Sequence, residues 1–328
     1  YKLEEVDLQG GDTTIDAELR GVIVLQADED WTDKELGRID QFLMAGDKSL
    51  LAMAGAVNMK AADASMKASL STRGLERLLD GYGIEMKEEA IVDSGSQVRI
   101  PLQDQGGQMT WLTAPGVIEL KHDADAEEAK QTLDNSFAGF FRLDELAFPY
   151  PSVLIPHPDK QPGAKITVVA RSSATSTLET SATIDLRPQA DWKATGKAGQ
   201  HAIAVTVEGK LRSAFGDQPP AGIEIGKESV KPSRVLVIAS PQFLANPFAR
   251  AGNPPPMPPQ MKMMGGSGGD KTLQMLATPY ARKYLTATIL AFKNQLDWIA
   301  GDERLIACSA LLIAPPSEDE ATKAAESD

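Results

Sequence analysis

Apolar positions along the chain follow two periods. Val22-Ile-Val-Leu25, Ser49-Leu-Leu-Ala-Met53 and Arg234-Val-Leu-Val-Ile-Ala239 are short and nearly unbroken, the pattern of strands covered on both faces. Between the first two, Leu36, Ile39 and Leu43 recur at helical spacing, which predicts a helix over residues 33–45. Thr32-Asp-Lys-Glu35 has the spacing of a capping box and Gly46 supplies a left-handed stop. Strand, helix and strand in that order predict a parallel crossover with the helix on a face of the sheet.

Farther along, a short helix is expected over residues 74–81, ending at Gly81 or Gly83, and Ala90-Ile-Val-Asp93 reads as a strand. Residues 97–120 alternate between apolar positions and Gly or Pro breaks, which suggests hairpins at a sheet edge. Residues 165–170 and 201–208 are further strands. A helix over residues 280–299 places Leu285, Ile289, Phe292, Leu296 and Ile299 on one face, and Leu305-Ile-Ala-Cys-Ser309 beyond it reads as a packed strand. Residues 54–69 and 249–279, rich in Met, Ala, Pro and Gly and poor in periodicity, are expected to be mobile loops.

These elements predict an α/β fold: a mostly parallel sheet with helices on both faces and an added β-hairpin region. The expected organisation is an α/β unit at 1–145, further α/β strands and the last helix at 146–313 on the same sheet or as a second lobe, and a polar tail at 314–328. The opening Tyr1-Lys-Leu-Glu-Glu-Val-Asp-Leu8 begins inside a strand-like pattern, so the sequence is expected to be a piece of a longer protein.

Charge narrows the partners. Lys and Arg total 33 against 46 Asp and Glu, a net of −13, and no basic cluster interrupts it, which argues against nucleic acid and against lying on an anionic bilayer. Cys308 is the single cysteine, leaving no internal disulfide and no cysteine-based metal site. The sequence holds no apolar run of the roughly 18 residues that spanning a bilayer requires.

Several motifs invite a catalytic reading and lose it. Gly265-Gly-Ser-Gly-Gly269 fits the nucleophile-elbow pattern, but Pro- and Met-rich sequence stands where a strand is required, so a flexible linker is the reading. The same stretch lacks the Gly-Lys pair of a phosphate loop. Cys308 lies beyond the last helix instead of at a strand-to-helix turn. His122, His157 and His201 are isolated from other ligand types. Met257, Met261, Met263 and Met264, with Met53, Met59 and Met66, could form a thioether site for a soft metal, and a Met-rich loop is the favoured alternative. No cofactor is expected.

In an open α/β sheet, loops following different strands converge at the carboxyl ends. That edge would gather Asp28, Asp30, Asn58, Arg171, Ser172, Ser173, Ser176, Ser240 and Gln242. Two readings stand: the hydroxyls and carboxylates cap local turns, or they recognise a polar, carbohydrate-like or peptide ligand. The Ser-rich loop is expected beside the Asp28 to Asp30 turn.

A family resemblance runs through most of the chain. Residues 21–53 resemble the opening unit of the auxiliary, extracytoplasmic component of gliding-motility-type ABC transporters, with Asp47 in place of a second turn glycine. Gly74-Leu-Glu-Arg-Leu-Leu-Asp-Gly-Tyr-Gly-Ile84, the Ser-rich Ala170-Arg-Ser-Ser-Ala-Thr-Ser-Thr-Leu-Glu179 and Gly209-Lys-Leu-Arg-Ser-Ala-Phe215 are similar to later steps. Asn294-Gln-Leu-Asp-Trp-Ile-Ala-Gly-Asp-Glu-Arg-Leu-Ile306 is the most specific match. Ala239-Ser-Pro-Gln-Phe243 departs from the family's Gly-Asp-Ser-Asp-Phe, so the role of those acids does not transfer.

The resemblance implies a Rossmann-like, amidotransferase-like fold related to the GIFT domain of intraflagellar transport proteins. It also implies a non-catalytic binding or assembly role, in gliding motility or envelope export. ABC permease and ATPase subunits would be partners, with an envelope protein or a polar solute as a further one. The location would be periplasmic, at the inner membrane, with anchoring helices outside this sequence. An amidotransferase-like or hydrolase-like enzyme and a scaffold module of a motility machine are the alternatives.

Overall fold

Thr32 starts the first helix as its sequence spacing requires. Its Oγ1 accepts from the Glu35 N–H at 3.2 Å, and the Glu35 carboxylate accepts from the Thr32 N–H at 2.9 Å. The computed structural model describes residues 1–59, 64–103, 107–123, 125, 131–189, 196–253 and 269–301. In chain order the elements are β1 (Gly21–Leu25), α1 (Asp33–Met44), β2 (Ser49–Met53), β3 (Val57–Met59), β4 (Lys67–Leu70), α2 (Glu76–Gly81), β5 (Ile84–Asp93), β6 (Gln97–Gln103) and β7 (Met109–Lys121). There follow β8 (Glu145–Pro149), β9 (Ser152–Pro156), β10 (Ala164–Arg171), β11 (Ser176–Glu179), β12 (Thr183–Asp185), β13 (Ala202–Gly209), β14 (Ser233–Ile238), α3 (Pro247–Gly252) and α4 (Lys271–Ile299).

The main sheet has the order β1-β2-β14-β13-β9-β5-β11, with β10 also paired to β13. Among the described residues only β1 with β2 and β2 with β14 are parallel. Every other pair in this sheet is antiparallel, as are those of two small sheets, β12-β4-β3 and β6-β7-β8. The expectation of a mostly parallel, Rossmann-like or amidotransferase-like sheet is therefore corrected to a mixed α/β fold with largely antiparallel strands. The cause is physical: an unbroken apolar run reports burial on both faces, and burial carries no information on strand direction.

Both faces of the sheet are covered. Leu50 and Ala52 of β2 and Val235 and Val237 of β14 pack toward α1 and α2 with Leu36, Leu43 and Leu79. The alternate residues Leu51, Met53, Leu236 and Ile238 face Ala291, Trp298 and Ile299 of α4, following the two-residue period of strands. Strands from either side of residue 145 share this one sheet.

The expected loops are partly regular. Within residues 54–69, β3 and β4 pair, with Val57, Met59, Met66 and Ala68 buried. Within 249–279, α4 begins at Lys271, capped by the Asp270 carboxylate accepting from Thr272 and Leu273 N–H at 2.7 and 3.1 Å, and it carries Pro279 inside. Its buried face also differs from the expected stripe. Leu285 and Ile289 are more than half exposed, whereas Tyr280, Tyr284, Thr288, Ala291, Gln295 and Trp298 are buried. Gln295 lies against the turn at Ala138–Phe140, where a Cβ on Gly139 would stand 3.2 Å from Gln295 Cγ.

Asp47, standing where the resembled family has a second glycine, takes φ +59° after Gly46 at +78°. The turn keeps two successive left-handed residues, and an Asp tolerates that conformation better than most.

Candidate functional site

Parallel register sets Leu25, Met53 and Ile238 side by side, so the loops after β1, β2 and β14 leave from one edge. The carboxyl end of β10 reaches the same edge, because Arg171 pairs with Ala202 while Ala204 pairs with Ile238. The predicted residues do meet this edge, but in two separate groups. β10 lies four strand positions from β1, about 19 Å at ordinary strand spacing, so the Ser-rich loop is not beside the Asp28 to Asp30 turn.

The first group surrounds the β1 and β2 exits. The Gln26 side chain accepts from the Gly55 N–H at 3.0 Å and donates to Asn58 Oδ1, whose amide donates to the Ala56 and Ser71 carbonyls at 2.9 and 2.6 Å. Ser152 Oγ accepts from the Ala56 N–H at 2.7 Å, and Ser240 Oγ donates to the Pro149 carbonyl at 2.6 Å. Gly55 allows this convergence, since a Cβ there would stand 2.8 Å from the Ala239 carbonyl oxygen. Gln242 is buried, and its Oε1 has no partner among the described residues. Asp28, Glu29 and Asp30 are exposed at the rim, with Asp30 at 3.3 Å from the Arg73 guanidinium.

The second group is built around Asp93, which is fully buried at the end of β5. Its carboxylate accepts from the N–H groups of Gly95 and Ser96 at 3.0 Å each, and from both the N–H and Oγ of Ser173 at 2.7 Å. Ser172 and Ser176 hydroxyls lie 2.6 Å apart, and Ser172 Oγ accepts from the His201 N–H at 2.9 Å. Ser176 Oγ donates to the Gly199 carbonyl, and Arg171 reaches the Val168 carbonyl at 3.5 Å. Burial pushes the His201 imidazole below its ordinary pKa, against the pull of Glu89 and Asp93, which keeps it neutral near pH 7.

Three further polar centres are built on carboxylates that are not among the candidate site residues singled out from the sequence. Asp40, fully buried on α1, accepts from Tyr82 Oη, from Ser213 Oγ at 2.6 Å, and from the Ala214 and Phe215 N–H groups at 3.2 and 3.0 Å. Burial raises its pKa and these donors pull it back. The turn at Ser213 to Phe215, one of the resembled motifs, thus has a structural task. Glu119 on β7 meets Lys121 at 2.6 Å, Lys283 at 2.9 Å and Tyr284 Oη at 2.7 Å. Asp297, nearly inaccessible, is paired with Lys293 at 2.7 Å and also accepts from Tyr1 Oη. A carboxylate inside an apolar helical stripe, as at Ile39-Asp40-Gln-Phe42-Leu43, is the sequence signal for the first.

Among the described residues no group of three or more His, Cys, Asp or Glu could hold a metal ion. His157 Nε2 pairs with Glu85 at 2.9 Å, and His122 Nδ1 lies 3.3 Å from the Leu133 carbonyl. Gly265-Gly-Ser-Gly of the elbow-like motif, Met257, Met261, Met263, Met264, Cys308 and the acidic tail lie outside the described residues. No helix among the described residues is long and apolar enough to cross a membrane.

A family model described as "ABC-type uncharacterized transport system" matches residues 1–265. No curated protein and no solved structure matches the chain.

Proposed function

The chain belongs to the ABC-type uncharacterized transport system family, as an auxiliary component of such a system, and from that premise we propose that it works by docking and not by catalysis. The observation that supports this is the sorting of polar groups at the carboxyl edge. Ser172, Ser173, Ser176, Ser240 and Asn58 are engaged in hydrogen bonds within the fold, whereas Asp28, Glu29 and Asp30 face solvent together. Side chains held this way position loops. The exposed acidic turn remains as the outward chemistry of the edge, and it suits a basic loop of a partner subunit.

In this reading the partners are the permease and ATPase of the transport system, and the body sits at the extracytoplasmic face of the inner membrane. Family membership supports the partners, and the motif resemblance supports the location and a setting in gliding motility or envelope export. The test is mild-detergent capture of the full-length protein from its native membrane. Recovery of a permease and an ATPase in fixed proportion is expected, and recovery of neither overturns the proposal.

A further inference from the structure

The connection between β13 and β14 leaves the sheet at the edge opposite to the acidic turn, because Gly209 pairs with Ser233. Its two ends close on each other: Ser229 N–H donates to the Leu211 carbonyl at 2.8 Å and Ser213 N–H to the Lys227 carbonyl at 2.9 Å. Residues 214–226 form the loop between them, which rests on α1, where the Gln41 amide donates to the Glu224 carbonyl at 2.9 Å. Three fully buried polar side chains hold its base. Gln161 accepts from the Arg212 N–H and donates to the Arg212 carbonyl, both at 2.8 Å. Ser229 Oγ accepts from the Leu211 N–H at 2.9 Å, and Asp40 accepts from Ser213 Oγ and from the Ala214 and Phe215 N–H groups. A surface loop with closed ends, fixed from beneath by a buried carboxylate and a buried amide, is preorganised in the way that recognition requires.

Two cavities lie along this loop and share Ser213 and Asp217. The first, of about 470 Å³, is completed by Arg212, Gly216, Lys227 and Glu228. The second, of about 380 Å³, includes Phe215, Gln218 and Pro220 in its lining. Gly216 lets the walls of the first approach, since a Cβ there would stand 3.0 Å from Ser213 Oγ and 3.1 Å from Lys227 Cα. Both acids of the first cavity have a cationic partner: Asp217 pairs with Lys227 at 3.4 Å and Glu228 with Lys210 at 3.1 Å. Arg212 stands across the chain from Glu228 in an antiparallel bridge, is exposed, and has no ion pair among the described residues. Its guanidinium is the uncompensated charge of the site.

We propose that these two cavities bind a peptide segment of a partner through a carboxylate held on Arg212. The planar fork of a guanidinium matches a carboxylate with two parallel hydrogen bonds. Asp217 and Glu228 in the same wall would repel a doubly charged phosphate, whereas they can accept N–H groups from a peptide backbone. The adjoining cavity, with Phe215 and Pro220, gives room to a side chain next to the carboxylate, so the pair fits a stretch of chain better than a small ion. The site stands apart from the acidic turn and takes the opposite charge.

Nitrogen-15 NMR of the full chain tests this by titration with four probes: acetyl-trialanine with a free carboxylate, a capped Ala-Asp-Ala peptide, acetyl-trialanine amide and inorganic phosphate. At least one of the two carboxylate peptides should shift the Ser213, Gly216 and Lys227 amides and the Arg212 Nε–H to saturation, and which of them does so tells a terminal from a side-chain carboxylate. Arg212→Gln should weaken that binding at least about tenfold, with a thermal midpoint near wild type because the loop is held through the Arg212 backbone. Arg212→Lys, which keeps the charge and loses the fork, should fall between the two. Absence of a saturable shift with both carboxylate peptides overturns the proposal. Equal binding of the amide peptide, tighter binding of phosphate, or carboxylate binding unchanged in Arg212→Gln each overturns it as well.

Discussion

Ser173 binds Asp93 twice, through its backbone N–H and through its Oγ, each at 2.7 Å. The pair ties the loop after β10 to the end of β5 and buries a carboxylate whose acceptors are occupied by donors from residues 95, 96 and 173. Replacing Ser172, Ser173 and Ser176 with Ala is expected to lower stability by about 1 kcal/mol per lost hydrogen bond while leaving capture of the transport subunits unchanged. Urea denaturation and capture yield, measured side by side, check both halves.

Asp40 should be among the most sensitive single positions. Its removal takes the acceptor from Ser213 Oγ, Tyr82 Oη and the Ala214 N–H in the interior, while the Phe215 N–H keeps its 3.1 Å bond to Ser213 Oγ. Asp40→Ala is expected to cost on the order of 3 kcal/mol, and Tyr82→Phe, which leaves the other donors in place, about 1 kcal/mol. Thermal midpoints of the two variants give the comparison.

Glu119 sets an acid limit. Burial would raise its pKa, but the contacts from Lys121, Lys283 and Tyr284 override that and hold it at about 2, below the ordinary value of 4.5. A depressed carboxyl stabilises the fold fully above its unfolded pKa and loses that contribution as pH falls from about 4.5 toward 2. The Glu119→Gln variant should therefore be less stable by on the order of 2 kcal/mol at pH 7 and should converge on the wild type near pH 2. Unfolding free energies across that range test the sign as well as the size.

Gln295 is fully buried, and neither atom of its amide has a partner among the described residues. Gln295→Met keeps the shape and removes the unsatisfied groups, so a gain of about 1 kcal/mol is expected. Calorimetry of the variant would show it.

Burial and capping are legible in the sequence. Thr32 to Glu35, Gly46 and the apolar runs at β1, β2 and β14 are local signals, and each element stands where its pattern puts it. Strand direction is not legible, because Val205 and Val207 on antiparallel β13 have the same period as Val235 and Val237 on β14. The sequence pattern starts α4 only after Pro279, because a proline reads as a boundary, yet the helix start is fixed by Asp270 and by Tyr280 packing on Phe248. At the candidate site the serines stand out in the sequence and their partners do not. Asp93 lies 80 residues from Ser173, and only the folded sheet brings them together.

The docking account rests on the acidic turn after β1. Asp28→Asn, Glu29→Gln and Asp30→Asn combined remove three exposed charges and, among the described residues, one ion pair, that of Asp30 with Arg73. Capture of the permease and ATPase by the full-length variant, at two salt concentrations, measures the claim directly. The account predicts at least about a tenfold loss at low salt, a smaller loss at high salt and a thermal midpoint close to wild type. Capture equal to wild type at both salt concentrations would contradict it.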